Sequence, residues 1–222
     1  MKKEVRAALG FQMGHVPHII TKPLKQHFHL ENNFKICVSG SAGGNIAEEG
    51  MQGAYELGRQ IGLRGVILLT GATTGIPFIA AKGNFDVGGL AIGFSPASSA
   101  IEHVKSYKLP TDYHDVIVYT GFNYSGRNLL LTRASDAVIT VNGRIGSLNE
   151  FTIAFEDKKI CGVLEGTGGM ADHIRKLLEI GKRGSDRVIF SRDPGELVHL
   201  VIERLKAGFI SEGGTHKPAD SF

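Results

Sequence analysis

The residues of this sequence best suited to do chemistry together lie in one segment, VNGRIGSLNE, which runs from Val141 to Glu150. The apolar run AVITV, which ends at Val141, predicts a buried strand, and the spacing of apolar residues after the segment's glycines predicts a helix. Between them, Gly143, Gly146 and Ser147 form a turn whose free backbone N–H groups and positive helix-dipole end favour an anion such as phosphate. Glu150 places a carboxylate on the first helical turn, beside that anion site.

Two simpler interpretations of this segment remain open. The turn could join a strand to a helix without binding any ligand. Ser147 and Glu150 also have the S-x-x-E spacing of a capping box, in which the carboxylate binds the backbone at the helix start. Spacing alone favours the capping box for Glu150.

Two further glycine-rich turns, GSAGG and GATTG, follow the predicted strands at 34–39 and 66–70. The candidate phosphate- or nucleotide-binding residues in these turns are Gly40, Ser41, Gly43, Gly71, Thr73, Thr74 and Gly75. A lone glycine-rich loop such as GSAGG is weak evidence by itself, and a plain turn explains GATTG equally well. Because ligands of parallel sheets bind beyond the carboxyl ends of the strands, we expect all three turns to converge on one crevice.

The rest of the chain repeats the order of strand, turn and helix. Further strands are predicted at 90–94, 116–119, 137–141, 160–164 and 187–190, and helices at 46–63, 77–82, 124–133, up to 158, at 168–180 and from 193 onward. This alternation predicts one α/β domain, a Rossmann-like three-layer α/β/α fold with a mainly parallel sheet of about seven strands. We assign the domain to 34–208, with an N-terminal extension at 1–33 and a flexible C-terminal tail at 209–222.

Composition excludes several classes of protein. The 222 residues are 42% hydrophobic and 21% charged, which is typical of a folded globular domain and not of a disordered chain. A formal charge of +3 is too mild to indicate a nucleic-acid surface. No apolar stretch approaches the ~18 residues of a membrane span.

Cys37 and Cys161 lie in predicted strands and are expected to be buried free thiols. Because free thiols are typical of a reducing compartment, we predict a cytoplasmic protein.

The histidines of the N-terminal extension invite a metal hypothesis. His15, His18, His27 and His29 could gather a cation, but no cluster of carboxylates or cysteines accompanies them. We therefore predict neither a metal site nor a resident cofactor.

The segment from 142 to 150 resembles the P-G-G-x-G-T-x-x-E signature of the LONELY GUY (LOG) family, also known by the label "possible lysine decarboxylase". Arg127 and Arg133 precede Asp136 in a run similar to the family's R-K-x-x-x-x-R-x-x-D. The resemblance implies that Glu150 and Arg127 are catalytic, with the arginine giving electrostatic orientation and not proton transfer. Arg133 is a candidate for phosphate or a subunit contact, although a surface position is equally plausible.

The resemblance also implies an activity. A LOG-like protein would hydrolyse a nucleoside 5′-monophosphate to free base and ribose 5-phosphate, bind a nucleotide-like small molecule, and form a homo-oligomer, a dimer or a multiple of one. Similar proteins include molybdenum-cofactor carriers, so a non-catalytic nucleotide- or cofactor-binding protein is the alternative. A DNA-associated module is disfavoured by the mild charge, and nothing indicates a pyridoxal-phosphate site for lysine decarboxylation.

Four residues depart from the family pattern: Asn142 replaces the proline, Arg144 the second glycine, Asn128 the lysine after the active-site arginine, and Asn149 the acid before the last glutamate. Arg144 either crowds the anion site or supplies a charge-assisted clamp of its own. These departures keep ligand binding plausible and put hydrolysis in doubt.

Overall fold

A computed structural model describes residues 34–44 and 46–211 of the chain, and these form a parallel α/β fold. The strands are β1 (Lys35–Gly40), β2 (Ile67–Thr70), β3 (Ala91–Ser95), β4 (Val116–Tyr119), β5 (Ala137–Val141), β6 (Ile160–Leu164) and β7 (Val188–Ser191). They build one seven-stranded sheet in the order β4-β3-β2-β1-β5-β6-β7, and every neighbouring pair is parallel. The predicted fold class is confirmed.

Helices cover both faces of the sheet. The elements are α1 (Glu48–Leu63), α2 (Ile76–Asp86), α3 (Ala100–Lys105), α4 (Asn123–Ala134), α5 (Ile145–Glu156), a 3₁₀ turn (Gly169–His173), α6 (Ile174–Ile180) and α7 (Pro194–Ser211). Ile36 and Val38 of β1 pack with α1, α2 and α7, whereas Cys37 packs with α4, α5 and α6. This alternation follows from the two-residue period of a strand, which sends successive side chains to opposite faces.

The position of the crevice follows from the central strands, β1 and β5. All five residues of β5 are buried, and β1 pairs with it from Ile36 opposite Ala137 to Gly40 opposite Val141. From β1 the chain builds outward through β2, β3 and β4, and it then returns to the other side of β1 to form β5. The order of the strands therefore reverses between β1 and β5, and a crevice opens there at the carboxyl ends of the strands.

Most predicted elements lie within a few residues of the observed ones, but three differ. Helix α3 was not predicted, although Ser99-x-x-Glu102 has the spacing of a capping box. The Ser99 hydroxyl accepts from the Glu102 N–H at 3.2 Å, and the Glu102 carboxylate accepts from the N–H of Ser98, one residue before the N-cap, at 2.7 Å. The helix predicted at 168–180 divides into the 3₁₀ turn and α6. The last helix continues to Ser211, beyond the boundary placed at 208.

Both cysteines are buried and free, as predicted. Burial raises the pKa of the Cys161 thiol to about 12 and that of the Cys37 thiol well above its ordinary value. Among the described helices, none is both long and apolar enough to cross a bilayer. The N-terminal extension with His15, His18, His27 and His29, and the tail after Ser211, lie outside the described residues.

Candidate functional site

The three glycine-rich turns converge on one crevice at the carboxyl edge of the sheet, with a volume of about 200 Å³. Of the predicted site residues, those lining it are Gly40, Ser41, Gly43, Gly71, Thr73, Arg127, Arg144, Gly146, Ser147 and Glu150. The volume is below the ~300–1,000 Å³ of pockets that enclose drug-sized ligands. A nucleotide-sized molecule bound here would therefore extend from the crevice toward solvent.

Two predicted residues of the second turn hold the first turn in place and do not line the crevice. The Thr74 hydroxyl donates to the carbonyl of Ala42, and the N–H of Ile76 donates to the carbonyl of Ser41 at 2.9 Å. Gly75 has a φ of +70°, and a Cβ there would lie 2.2 Å from the Ser41 oxygen, so this close approach requires glycine. Thr74 and Gly75 thus shape the crevice indirectly.

Asn142 links the third glycine-rich turn to the turn after β1, through Ser41, and to the turn after β6, through Thr167. Its side-chain oxygen accepts from the Ser41 hydroxyl at 2.7 Å, its side-chain nitrogen donates to the Thr167 carbonyl at 2.9 Å, and its backbone N–H donates to the Thr167 hydroxyl at 2.8 Å. Asn142 has a φ of +52°. Proline is fixed near −65°, so the residue typical of the LOG signature could not adopt this backbone conformation. At Asn142 the departure from the LOG signature thus goes together with a left-handed backbone conformation and with hydrogen bonds that fix the turn.

The start of α5 presents free amides to the crevice. Leu148 donates to the Arg144 carbonyl at 2.9 Å, which is the first hydrogen bond of the helix, so the preceding N–H groups of Ile145, Gly146 and Ser147 have no helical acceptor. Gly146 and Ser147 line the crevice, whereas Gly143 is buried behind them with a φ of +92° and is not among the lining residues. This arrangement suits an anion.

Glu150 is held inside the crevice and does not cap the helix. The helix begins at Ile145 and its N-cap, Arg144, makes no side-chain capping bond, so the capping-box interpretation of Glu150 is wrong. One carboxylate oxygen of Glu150 accepts from the hydroxyl of Ser39. The other accepts from the Asn128 side-chain nitrogen at 2.9 Å when that amide is turned to pair its donors with acceptors. The residue is 6% exposed.

The electrostatics of Glu150 follow from this burial. Desolvation raises the pKa of the carboxyl above its ordinary value, while the nearby Arg127 guanidinium and the Ser39 hydroxyl act in the opposite direction. A carboxyl with a raised pKa can exchange a proton closer to neutral pH than an exposed one. Glu150 can therefore act as a fixed acid or base, or as a fixed hydrogen-bond acceptor.

Arg127 is a buried cation that lies near Glu150 but has two donors without acceptors. It is 5% exposed, and its guanidinium lies directly over Gly71, where a Cβ would be 1.8 Å from Nη1. Its Nε and Nη1 atoms find no hydrogen-bond acceptor among the described residues, and it makes no ion pair with Glu150. The Tyr124 ring lies 6.0 Å from its Cζ. A desolvated guanidinium with free donors is suited to accept an anionic ligand.

Arg144 borders the crevice without filling it. It is exposed, and its guanidinium rests over Gly44, where a Cβ would lie 1.9 Å from Nη2. The cavity remains open beside it. Of the two effects predicted for this residue, the geometry is compatible with a clamp and not with closure of the site.

Arg133 is not part of the crevice. It lies near the end of α4, is exposed, and pairs with Asp157 through Nε at 3.1 Å. A helix that follows a parallel strand begins at the carboxyl edge of the sheet and ends near the amino edge, which separates Arg133 from Arg127. The direction of a helix after a parallel strand could therefore have excluded Arg133 from the predicted site. Ser39 was also not among the predicted site residues, although a polar residue at the end of an apolar strand indicates the same edge.

Comparison with known proteins places the chain in a family. The sequence model of the SLOG cluster4 family matches residues 33–198. The chain belongs to the SLOG cluster4 family. The predicted kinship with LOG-like, Rossmann-like proteins is thereby confirmed.

Three relatives illustrate the kinship. An uncharacterized protein of Archaeoglobus fulgidus is 30% identical over 116 residues, which cover 52% of this chain and 71% of the relative. The structure of the protein TM1055 is similar with a TM-score of 0.67 and 26% identity, over 77% of this chain and 99% of that one. The molybdenum cofactor carrier protein of Chlamydomonas reinhardtii is similar with a TM-score of 0.63 and 28% identity, over 79% and 99% of the two chains.

Proposed function

We propose that this SLOG cluster4 protein binds a phosphate-bearing, nucleotide-like small molecule in the crevice between β1 and β5, and that it does so as a binding or carrier protein. The observation that carries the proposal is Arg127, whose buried Nε and Nη1 donors have no acceptor in the described part of the chain. Buried donors without acceptors destabilise the folded protein unless something compensates them. A ligand phosphate would supply that compensation.

Two further observations support an anionic ligand. The first amides of α5 open into the same crevice as Arg127, and the helix dipole adds partial positive charge there. The similarity to the Chlamydomonas reinhardtii molybdenum cofactor carrier extends over nearly the whole of that chain. We therefore place the molybdenum cofactor, as cargo, among the nucleotide-like ligands to be tested.

Calorimetric titration with adenosine 5′-monophosphate (AMP) tests the binding proposal. We expect Arg127→Met to weaken AMP binding by about 10–100-fold, because a charge-assisted hydrogen bond to phosphate is lost. Arg133→Gln is the matched control on the same helix, since Arg133 lies outside the crevice, and it should bind AMP like the parent. Equal AMP affinity in the Arg127 variant and the parent would refute the proposal.

Mass spectrometry of the molecule that co-purifies with the native protein tests the carrier role. A carrier retains an intact phosphate-bearing ligand, and Arg127→Met should lose it. Release of free base from added AMP by the parent protein would contradict a purely carrier role.

A second candidate function, phosphoribohydrolase activity, is favoured by Glu150. Its buried carboxyl, with a raised pKa, faces the crevice that also holds Arg127. In the proposed reaction water adds across the N-glycosidic bond: the bond between C1′ and the base nitrogen breaks, hydroxide joins C1′, and the proton goes to the base. Glu150 would activate the water or stabilise the positive charge that develops on the ribose.

Chromatographic measurement of adenine released from AMP tests this second candidate. We expect Glu150→Gln to lower the release rate by about 100-fold or more, because general acid–base catalysis contributes on that scale. AMP binding by the variant should persist, which separates a catalytic from a binding defect. Unchanged release in Glu150→Gln would eliminate the hydrolase mechanism proposed for this residue.

A further inference from the structure

The crevice carries a second cation, Arg144, which a single phosphate at Arg127 leaves unused. Arg144 is the N-cap of α5, and its side chain reaches from the end of β5 to lie over Gly44 in the turn after β1. It forms no ion pair or side-chain hydrogen bond within residues 34–44 and 46–211. The guanidinium is therefore available to a ligand at the rim of the crevice.

The two arginines stand at different depths and over different turns. The Arg127 side chain is buried and its guanidinium lies over Gly71, which follows β2, whereas the Arg144 side chain is exposed and its guanidinium lies over Gly44, which follows β1. In the sheet β1 and β2 are neighbours, so the two turns leave it about 5 Å from each other. An anion held at the buried guanidinium can therefore carry a second anionic group that reaches the outer guanidinium.

The charge balance of the crevice also leaves room for a second anionic group. The charged residues that line it are Arg127, Arg144 and Glu150. The carboxylate of Glu150 is already engaged by the hydroxyl of Ser39 and the amide of Asn128. Two guanidiniums and the free amides of α5 thus face a single carboxylate that accepts hydrogen bonds from other side chains.

We infer that the crevice selects ligands with two linked anionic groups, as in a diphosphate, with the inner group at Arg127 and the outer group at Arg144. Arg144 is then a specificity-determining residue, which distinguishes a diphosphate from a monophosphate. The inference rests on the proposed function, because it requires that a phosphate bind at Arg127. It goes beyond that function by assigning a role to the arginine that replaces a signature glycine.

Titration with AMP and with adenosine 5′-diphosphate (ADP) tests the inference, in a buffer without phosphate or sulfate. The parent should bind ADP about tenfold or more tightly than AMP, since a second charge-assisted bond is made. Arg144→Gln should remove this preference, because it should weaken ADP binding about tenfold more than AMP binding. The exposed position of Arg144 allows the variant to fold, which thermal melting checks, and Arg133→Gln should keep the parent's preference.

The contrary outcomes are distinct. Equal binding of AMP and ADP by the parent, an unchanged preference in Arg144→Gln, or equal weakening of both ligands in that variant would overturn the inference and leave the proposed function standing. If the parent binds neither nucleotide nor inorganic pyrophosphate, both the inference and the proposed function fail.

Discussion

The charged side chains at the two edges of the sheet differ in whether they are paired. At the amino edge, where the strands begin, Lys35 pairs with Asp136 at 2.8 Å, Arg133 pairs with Asp157 at 3.1 Å, and Lys159 donates to backbone carbonyls. At the carboxyl edge, Arg127 is buried with free donors and Arg144 has no ion-pair partner in the described chain. Folding has paired the charges of one edge and has left two arginines of the other edge without an ion-pair partner among the described residues.

The difference carries an energetic consequence. Exposed ion pairs such as those of the amino edge contribute only about 0–1 kcal/mol each. A buried polar group without a partner costs about 1–3 kcal/mol, and a charged one costs more. Substitutions at the carboxyl edge should therefore change the free energy of unfolding strongly and in both directions, whereas those at the amino edge should change it little.

The largest effect should come from Asn142→Pro, which imposes the proline of the LOG signature on a backbone with a φ of +52°. Proline cannot adopt this angle and has no N–H to donate to Thr167, so we expect a loss of about 3 kcal/mol or more in a denaturant melt. Asn142→Gly, which keeps the angle and the N–H, is the control and should lose less. Equal stability of the proline variant and the parent would show that this turn does not require the left-handed conformation.

Next in size is Arg127→Met in the absence of ligand. Removing two buried donors that have no acceptor should raise the free energy of unfolding by about 1–3 kcal/mol, and the lost attraction to Glu150 should reduce this gain. Thermal melting in a buffer without phosphate measures this gain. A variant less stable than the parent would mean that Arg127 already has compensation within the protein.

A smaller, pH-dependent effect is expected for Glu150→Gln. In the unfolded chain the carboxyl titrates at its ordinary pKa, 4.5, while burial raises the pKa in the folded protein. As pH rises above the ordinary value, the unfolded chain loses its proton first, so the parent's stability falls until pH passes the raised pKa. Melting temperatures from pH ~5 to ~8 should therefore show the variant gaining on the parent as pH increases. A constant difference across that range would contradict a raised pKa.

The smallest effect should come from the amino edge. Arg133→Gln removes the exposed pair with Asp157 and should change stability by no more than about 1 kcal/mol, with a still smaller change in high salt. A loss as large as that of Asn142→Pro would abolish the distinction between the two edges.

The parts of the site that could be predicted are those whose sequence signals are short-range. The glycine-rich turns at 40–44, 71–75 and 143–146 could be placed, because a strand followed by a turn and a helix has a short-range pattern. Hydrogen bonds across 101 or 111 positions, such as Ser41 with Asn142 and Ser39 with Glu150, left no such pattern. The capping box proposed for Glu150 was wrong for this reason, since spacing cannot reveal a distant partner.

The sequence by itself determined the order of strands and helices, the parallel sheet and the edge at which the turns meet, because these depend on hydrophobic period and chain direction. Only the tertiary structure decided which of the two arginines of α4 lines the crevice. Arg127 and Arg133 are six residues apart on α4, about 9 Å along its axis and about 120° around it. Packing of that helix against the sheet buries the first over Gly71 and leaves the second in solvent beside Asp157.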